Sequence, residues 1–227
     1  MNISKKDTQG FDLRGFSAAV IGCGGLGCNV CIHLAGAGIG KLVLYDFDTV
    51  SPSNLNRQFL YTPADEGKSK VLTAAERLAA YAPDIGIQAV EKRITSVDDL
   101  SFVKECDILI IAADNNETRA VCEAFCDEHK ITLINGGING FYGTCYMKRP
   151  GDPCFSCAGI TAAKEKKITS VSAAAGVIGA LCAETAIKYL TKCEPVTGGR
   201  LLIYDGGEIN GMDIIPAKSC KCRNCLF

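Results

Sequence analysis

Four charged side chains stand where a bound polyanion could be handled: Asp46, Arg57, Lys70 and Asp114. Ahead of them Gly22, Gly24 and Gly27 keep G-x-G-x-x-G spacing, with Gly25 as an additional glycine inside it. In such a fingerprint the glycines provide a tight turn, a backbone close to a phosphate, and close packing of helix on strand. A helix starting there offers unpaired N–H groups and partial positive charge to an anion. Asp46, at the end of the next strand, can accept hydrogen bonds from ribose hydroxyls. The competing account is a packing turn with no ligand. Strand, helix, second strand and acid in register favour a nucleotide.

Arg57 lies with Asn54 and Gln58 in the loop FDTVSPSNLNRQFLYT. Its guanidinium fork suits phosphate oxygens, whereas the bland alternative is an exposed surface ion pair. Lys70 falls in the first turn of the next helix, with Lys68 just before it. A cation there meets an end that is already positive. A polyphosphate would remove that penalty; alternatively Asp65 and Glu66 screen the two lysines. Asp114 follows the apolar run DILIIAA, at the edge where open α/β sheets bind ligands. It could hold Mg²⁺ together with substrate phosphates, or cap the next helix through the box Asp114-Asn-Asn-Glu117, or do both. A nicotinamide site would tend to avoid that carboxylate, and His33 and His129 read as structural. Phosphate chemistry is therefore favoured over hydride transfer.

The chain has 14 cysteines and 2 histidines. Cys154-x-x-Cys157 and Cys222-x-x-Cys225 have the paired spacing of a closed tetrahedral zinc site, with Cys220 able to substitute for Cys222. Such a site would tie the tail to the body. Cys23, Cys28, Cys31, Cys122, Cys126 and Cys182 fall on helices or glycine turns and read as small buried hydrophobes.

The elements that must position these groups alternate. Strands are expected at 18–21, 41–45, 85–90, 107–113 and 131–135, and helices at 26–37, 67–82 and 116–129. Gly136-Gly137 turns the chain into a further strand at 140–148. An Ala- and Gly-rich helix at 171–191, buried and closely packed, precedes late antiparallel strands at 201–204 and 209–215. This is an α/β, Rossmann-like architecture: a mostly parallel sheet with helices on both faces. A length of 227 residues suits one domain, with 1–149 binding nucleotide and 150–227 bearing the zinc and completing the sheet. A net charge of −1 without a basic block argues against nucleic acid or an anionic membrane as partner. The polar N-terminus carries no signal core, and the weakly polar run 172–183 is too short to span a bilayer. A cytoplasmic protein is expected.

GCGGLG, YDFDTVSPSNLNRQF, GKSKV, AADN, CFSC, GVIGALCAETAIKYL and CRNC together resemble the ThiF/MoeB/HesA adenylyltransferases, relatives of ubiquitin-activating enzymes. The resemblance runs from about residue 16 to 225, in the family's order. It implies a homodimer that uses Mg-ATP to adenylylate the C-terminal carboxylate of a ubiquitin-like sulfur carrier ending in Gly-Gly, releasing pyrophosphate. By motif, Gly25 lies under the phosphates and Asp46 binds the ribose. Ser53, Asn54, Arg57 and Lys70 contact the triphosphate, Asp114 holds magnesium, and the paired cysteines hold zinc. Relatives that form a thioester or persulfide carry a cysteine before the GVIG helix; between Ala158 and Ala175 there is none here. A released acyl-adenylate is therefore expected. The alternatives are adenylylation of another carboxylate such as a peptide C-terminus, a nicotinamide-dependent oxidoreductase, and a module that binds nucleotide without turnover.

Overall fold

The computed structural model describes residues 11–160, 171–192, 196 and 198–214. Its eight-stranded sheet has the order β3-β2-β1-β4-β5-β6-β7-β8. The central strands are β1 (Ser17–Ile21), β2 (Lys41–Tyr45) and β4 (Ile108–Ile111). Their short, apolar, partly β-branched runs suit strands covered on both faces, and all four residues of β4 are buried. β3 (Gly86–Val90) and β5 (Thr132–Asn139) extend the parallel part. β6 (Tyr142–Lys148), β7 (Arg200–Tyr204) and β8 (Ile209–Asp213) continue it antiparallel.

Two hydrophobic layers sandwich the sheet. On one face lie α1 (Gly25–Gly36), α2 (Lys70–Tyr81) and α4 (Ser172–Thr191), with Leu34, Leu78 and Ile178 in one core cluster. On the other, α3 (Asn116–His129) and the 3-10 stretch Val97–Glu105 bury Phe125, Leu100 and Val103. That 3-10 stretch is the connection for which the sequence offers no helical period. It is held instead by local chemistry, a capping box in which Ser96 and Asp99 satisfy each other's backbone N–H.

Two elements differ from expectation. β5 does not end at Asn135 but runs through Gly136-Gly137 to Asn139, and the hairpin turns at Gly140 with φ +62°. Gly136 is there for closeness: a Cβ on it would meet Leu26 at 2.6 Å and the Cys182 sulfur at 3.0 Å. Helix α4 runs a full 20 residues, long and apolar enough by composition to cross a membrane. Glu184 does not end the apolar run, because it is exposed and pairs with Lys188 one turn on at 2.8 Å. The buried face of α4 presses on α1, where a Cβ at Gly179 would lie 2.4 Å from that of Asn29. It is a packed core helix, as its composition implied.

The helical and glycine-turn cysteines are buried, and burial pushes the Cys28 and Cys126 thiols up to about 12. His129 stacks on Phe125 with ring centroids 4.2 Å apart, a structural role.

Candidate functional site

The strand order reverses direction at β1: β2 lies on one side of it and β4 on the other. Loops leaving the carboxyl ends of these strands therefore part and open a crevice, the usual ligand position in such sheets. A cleft of about 300 Å³ occupies it.

The glycine loop forms its floor. Gly22 has φ +97°, and a Cβ there would sit 2.9 Å from the Ala112 carbonyl oxygen. Gly27 does not line the cleft; it lets α1 pack on the loop, since its Cβ would fall 1.8 Å from the Gly22 oxygen. Gly24 caps α1, whose first turn has no side-chain cap and no acidic residue, so its N–H groups face the cleft's end uncompensated. Gly25 lies beneath Arg57, with the Cγ of that arginine 2.9 Å from where a Cβ would be.

Asp46 fastens the loop. Its carboxylate accepts from the Cys23 N–H at 2.7 Å and from the Asp48 N–H at 2.8 Å. Burial raises its pKa, while those two N–H groups and Lys70 oppose the rise. Tyr61, a residue the sequence did not single out, donates its buried hydroxyl to the Cys23 carbonyl at 2.7 Å. Together they fix the loop from both sides.

The segment after β2 folds back so that Thr49 pairs with Ser69 and the Lys70 N–H donates to the Asp48 carbonyl. This buries Lys70 to 6% exposure and brings its ammonium to Asp48 at 3.2 Å. Screening by Asp65 holds only for Lys68, which pairs with it at 2.9 Å; Asp65 also takes Arg77 at 3.0 Å. Arg57 donates to Asn54 and Asn56 side chains, both at 2.9 Å, and has no ion-pair partner among the described residues. The surface ion-pair account of Arg57 is set aside. Ser53 does not line the cleft; its carbonyl accepts from Arg57 at 3.4 Å and so orients the guanidinium. Gln58 is 3% exposed at the cleft wall, and its Oε1 has no hydrogen-bond partner among the described residues. A buried polar atom left so calls for a ligand or water.

Across the cleft, the cap of α3 is Asn115 rather than Asp114: its side chain accepts from the Thr118 N–H at 2.8 Å. Asp114 is therefore not the capping residue and stays exposed at the cleft edge. Lys92 and Arg119 also line this cleft and were missed, because nothing local marks them. Lys92 is taken by Asp99 at 2.6 Å.

Of the proposed zinc ligands, Cys154 is buried and Cys157 half-buried in a turn closed by the Ala158 N–H donating to the Cys154 carbonyl at 2.9 Å. Tyr146 and Glu123 anchor this turn through the Pro153 carbonyl and the Phe155 N–H. Cys222 and Cys225 lie outside the described residues. Among the described residues no group of three metal-ligating side chains forms.

The ThiF family pattern matches residues 3–225. The chain belongs to the ThiF family and is in class an adenylyltransferase. It is 37% identical over 230 residues to a molybdopterin-synthase adenylyltransferase of Salmonella typhimurium, covering 96% of this chain and 92% of that one. It is 35% identical to the Anopheles gambiae adenylyltransferase and sulfurtransferase MOCS3, covering 98% of this chain but spanning only 53% of the relative. Among solved structures it resembles Escherichia coli MccB with ATP, at TM-score 0.82 and 25% identity over 94% of this chain and 67% of that one. The same enzyme solved with MccA-N7isoASN gives TM-score 0.83 and 26% identity over 94% and 68%. Family membership sets aside the oxidoreductase account.

Proposed function

We propose that this adenylyltransferase uses Mg-ATP to adenylylate the C-terminal carboxylate of a ubiquitin-like sulfur carrier ending in Gly-Gly, acting as a homodimer in the cytoplasm. The observation that carries the reading is the cleft itself. It gathers Gly22, Gly24, Gly25, Asp46, Asn54, Arg57, Gln58, Lys70 and Asp114 from separate loops around one crevice. A nucleotide fits these residues. The glycines leave a cradle that Cβ atoms would fill, the α1 amides have no side-chain cap, and the buried Gln58 oxygen has no partner among the described residues.

The chemistry asks for no general base, because a C-terminal carboxylate is already ionised near neutral pH. Its oxygen bonds to the α-phosphorus while the bond to pyrophosphate breaks. What remains is positioning and charge neutralisation. Asp46 holds the ribose end, the α1 amides and Arg57 meet the phosphates, and Lys70 adds buried positive charge. Bound magnesium would neutralise phosphate oxygens, with Asp114 the residue to hold it. Zinc, held by Cys154, Cys157, Cys222 and Cys225, would be structural. The acyl-adenylate leaves without a covalent thioester: Cys145 is buried beneath α4, and the segment before that helix has no cysteine.

A second reading, adenylylation of a peptide C-terminus, is favoured by the likeness to MccB solved with MccA. ATP–pyrophosphate exchange decides between them. Exchange that depends on a Gly-Gly carrier supports the first reading, and exchange with short peptides alone supports the second. Exchange with neither refutes both.

A further inference from the structure

Two of the four cations lining the cleft are already paired, Lys70 with Asp48 and Lys92 with Asp99. Arg57 and Arg119 have no ion-pair partner among the described residues. They stand on opposite sides of the glycine loop, Arg57 after β2 and Arg119 after β4, with β1 between. Arg57 lies over Gly25 and serves the nucleotide side. Arg119 has no such assignment.

Its placement is costly without a reason. It sits in the first turn of α3, where a cation opposes the helix dipole, and burial lowers its pKa while Asp114 opposes that shift. Nε and Nη2 donate to the Ala113 carbonyl at 3.3 and 3.0 Å, and Nη2 also to that of Gly136 at 3.3 Å. These bonds lock the guanidinium against the ends of β4 and β5. They use three of its five N–H donors, leaving the two on Nη1 without an acceptor among the described residues. Gly137 lacks a side chain at this point; a Cβ there would press on the Thr144 hydroxyl at 3.1 Å and lie in ordinary contact with the two Nη atoms at 3.7 and 4.0 Å. The guanidinium is thus held rigidly beside a bare strip of β5 that lines the cleft.

The geometry points to Arg119 as the residue that receives the acceptor's reacting carboxylate, through the Nη1 N–H groups, while Arg57 and Lys70 serve the triphosphate. Two anions that must approach each other then each have a cation, on opposite sides of the loop where they meet. This rests on the adenylylation reading above and assigns its second substrate a binding group.

The test compares the Gly-Gly carrier that supports wild-type exchange with the same carrier made as a C-terminal carboxamide. The wild type should bind the acid roughly tenfold or more tightly than the amide, as expected for a charge-assisted hydrogen bond. In Arg119→Gln that preference should fall below about twofold, with Mg-ATP affinity unchanged within about twofold. Arg119→Lys should recover part of the preference. Equal binding of acid and amide by the wild type overturns the inference without any variant, so a misfolded variant cannot shield it. A preserved preference in a folded Arg119→Gln protein, or ATP binding weakened there more than about tenfold, also overturns it. Wild-type protein that exchanges with no carrier or peptide removes the adenylylation reading and this inference together.

Discussion

Replacing Lys70 by methionine separates a structural from a functional role for that buried cation. The side chain is 8% exposed, but its partner Asp48 is 51% exposed. A pair with one member that open to water contributes at most about 1 kcal/mol. Removing a cation from the first turn of α2 returns about 0.3–1 kcal/mol. Methionine keeps the aliphatic packing, so the net change in stability should be within about 1 kcal/mol, or roughly 4 °C for a chain of this length. Nucleotide binding should respond quite differently. With ATP at about 100 times its Kd, the wild type gains about 2.7 kcal/mol, a rise in Tm of roughly 5–11 °C. Losing a charged hydrogen bond of about 1.5–3 kcal/mol weakens binding by roughly ten- to hundredfold. At the hundredfold end the same ATP concentration stabilises by only about 0.4 kcal/mol, or roughly 1–2 °C. Thermal melts with and without Mg-ATP read both numbers from one sample. A variant that keeps the full ATP shift refutes the phosphate role of Lys70. One whose unliganded Tm falls by more than about 8 °C shows that the lysine mainly holds the fold.

The neighbours Asp114 and Asn115 should separate cleanly. Asp114→Ala should abolish pyrophosphate exchange at nearly unchanged Tm, whereas Asn115→Ala should cost about 1 kcal/mol of stability through the lost cap and retain exchange. Two glycines test packing against conformation. Gly27→Ala should fail to fold, because its Cβ has 1.8 Å to the Gly22 oxygen; Gly38→Ala, at φ +80° in open space, should lose about 1 kcal/mol and stay active, as expression yield and melts will report. Asp65 sets an acid limb. Lys68, then hydrogen bonds from Thr62, then Arg77 hold its carboxyl well below the usual range. Its contribution is therefore present above the unfolded value of about 3.9 and lost as pH falls below that; Asp65→Asn should flatten this limb in pH-dependent melts. Purified protein should contain about one zinc per chain, and both chelation and Cys154→Ser should lower Tm. Metal-free protein with an ordinary melt would remove that site.

The sequence by itself determined the alternation of strands and helices, the glycine loop and the acid after β2. These follow from local rules: apolar periodicity marks each element, and the glycine spacing encodes its own turn. It also marked most of the cleft, because Asp46 and Asp114 follow the ends of strands, Arg57 lies in the loop after β2 and Lys70 opens α2. What a local pattern cannot state is which of two available partners a charged group takes. Asp65 is the nearer acid to Lys70 along the chain, yet the fold-back after β2 pairs the lysine with Asp48, 22 residues away. The sequence offers Asp114 as the cap of α3, yet the helix starts at Asn116 and the capping side chain is that of Asn115. Gly136-Gly137 reads as a turn, yet both lie inside a continuous strand, where contacts from Leu26 of α1 and Cys182 of α4 explain Gly136. Arg119 carries no signal at all in one dimension. Its bonds run to the carbonyls of Ala113 and Gly136, the latter 17 residues away, which become neighbours only when β4 and β5 pair.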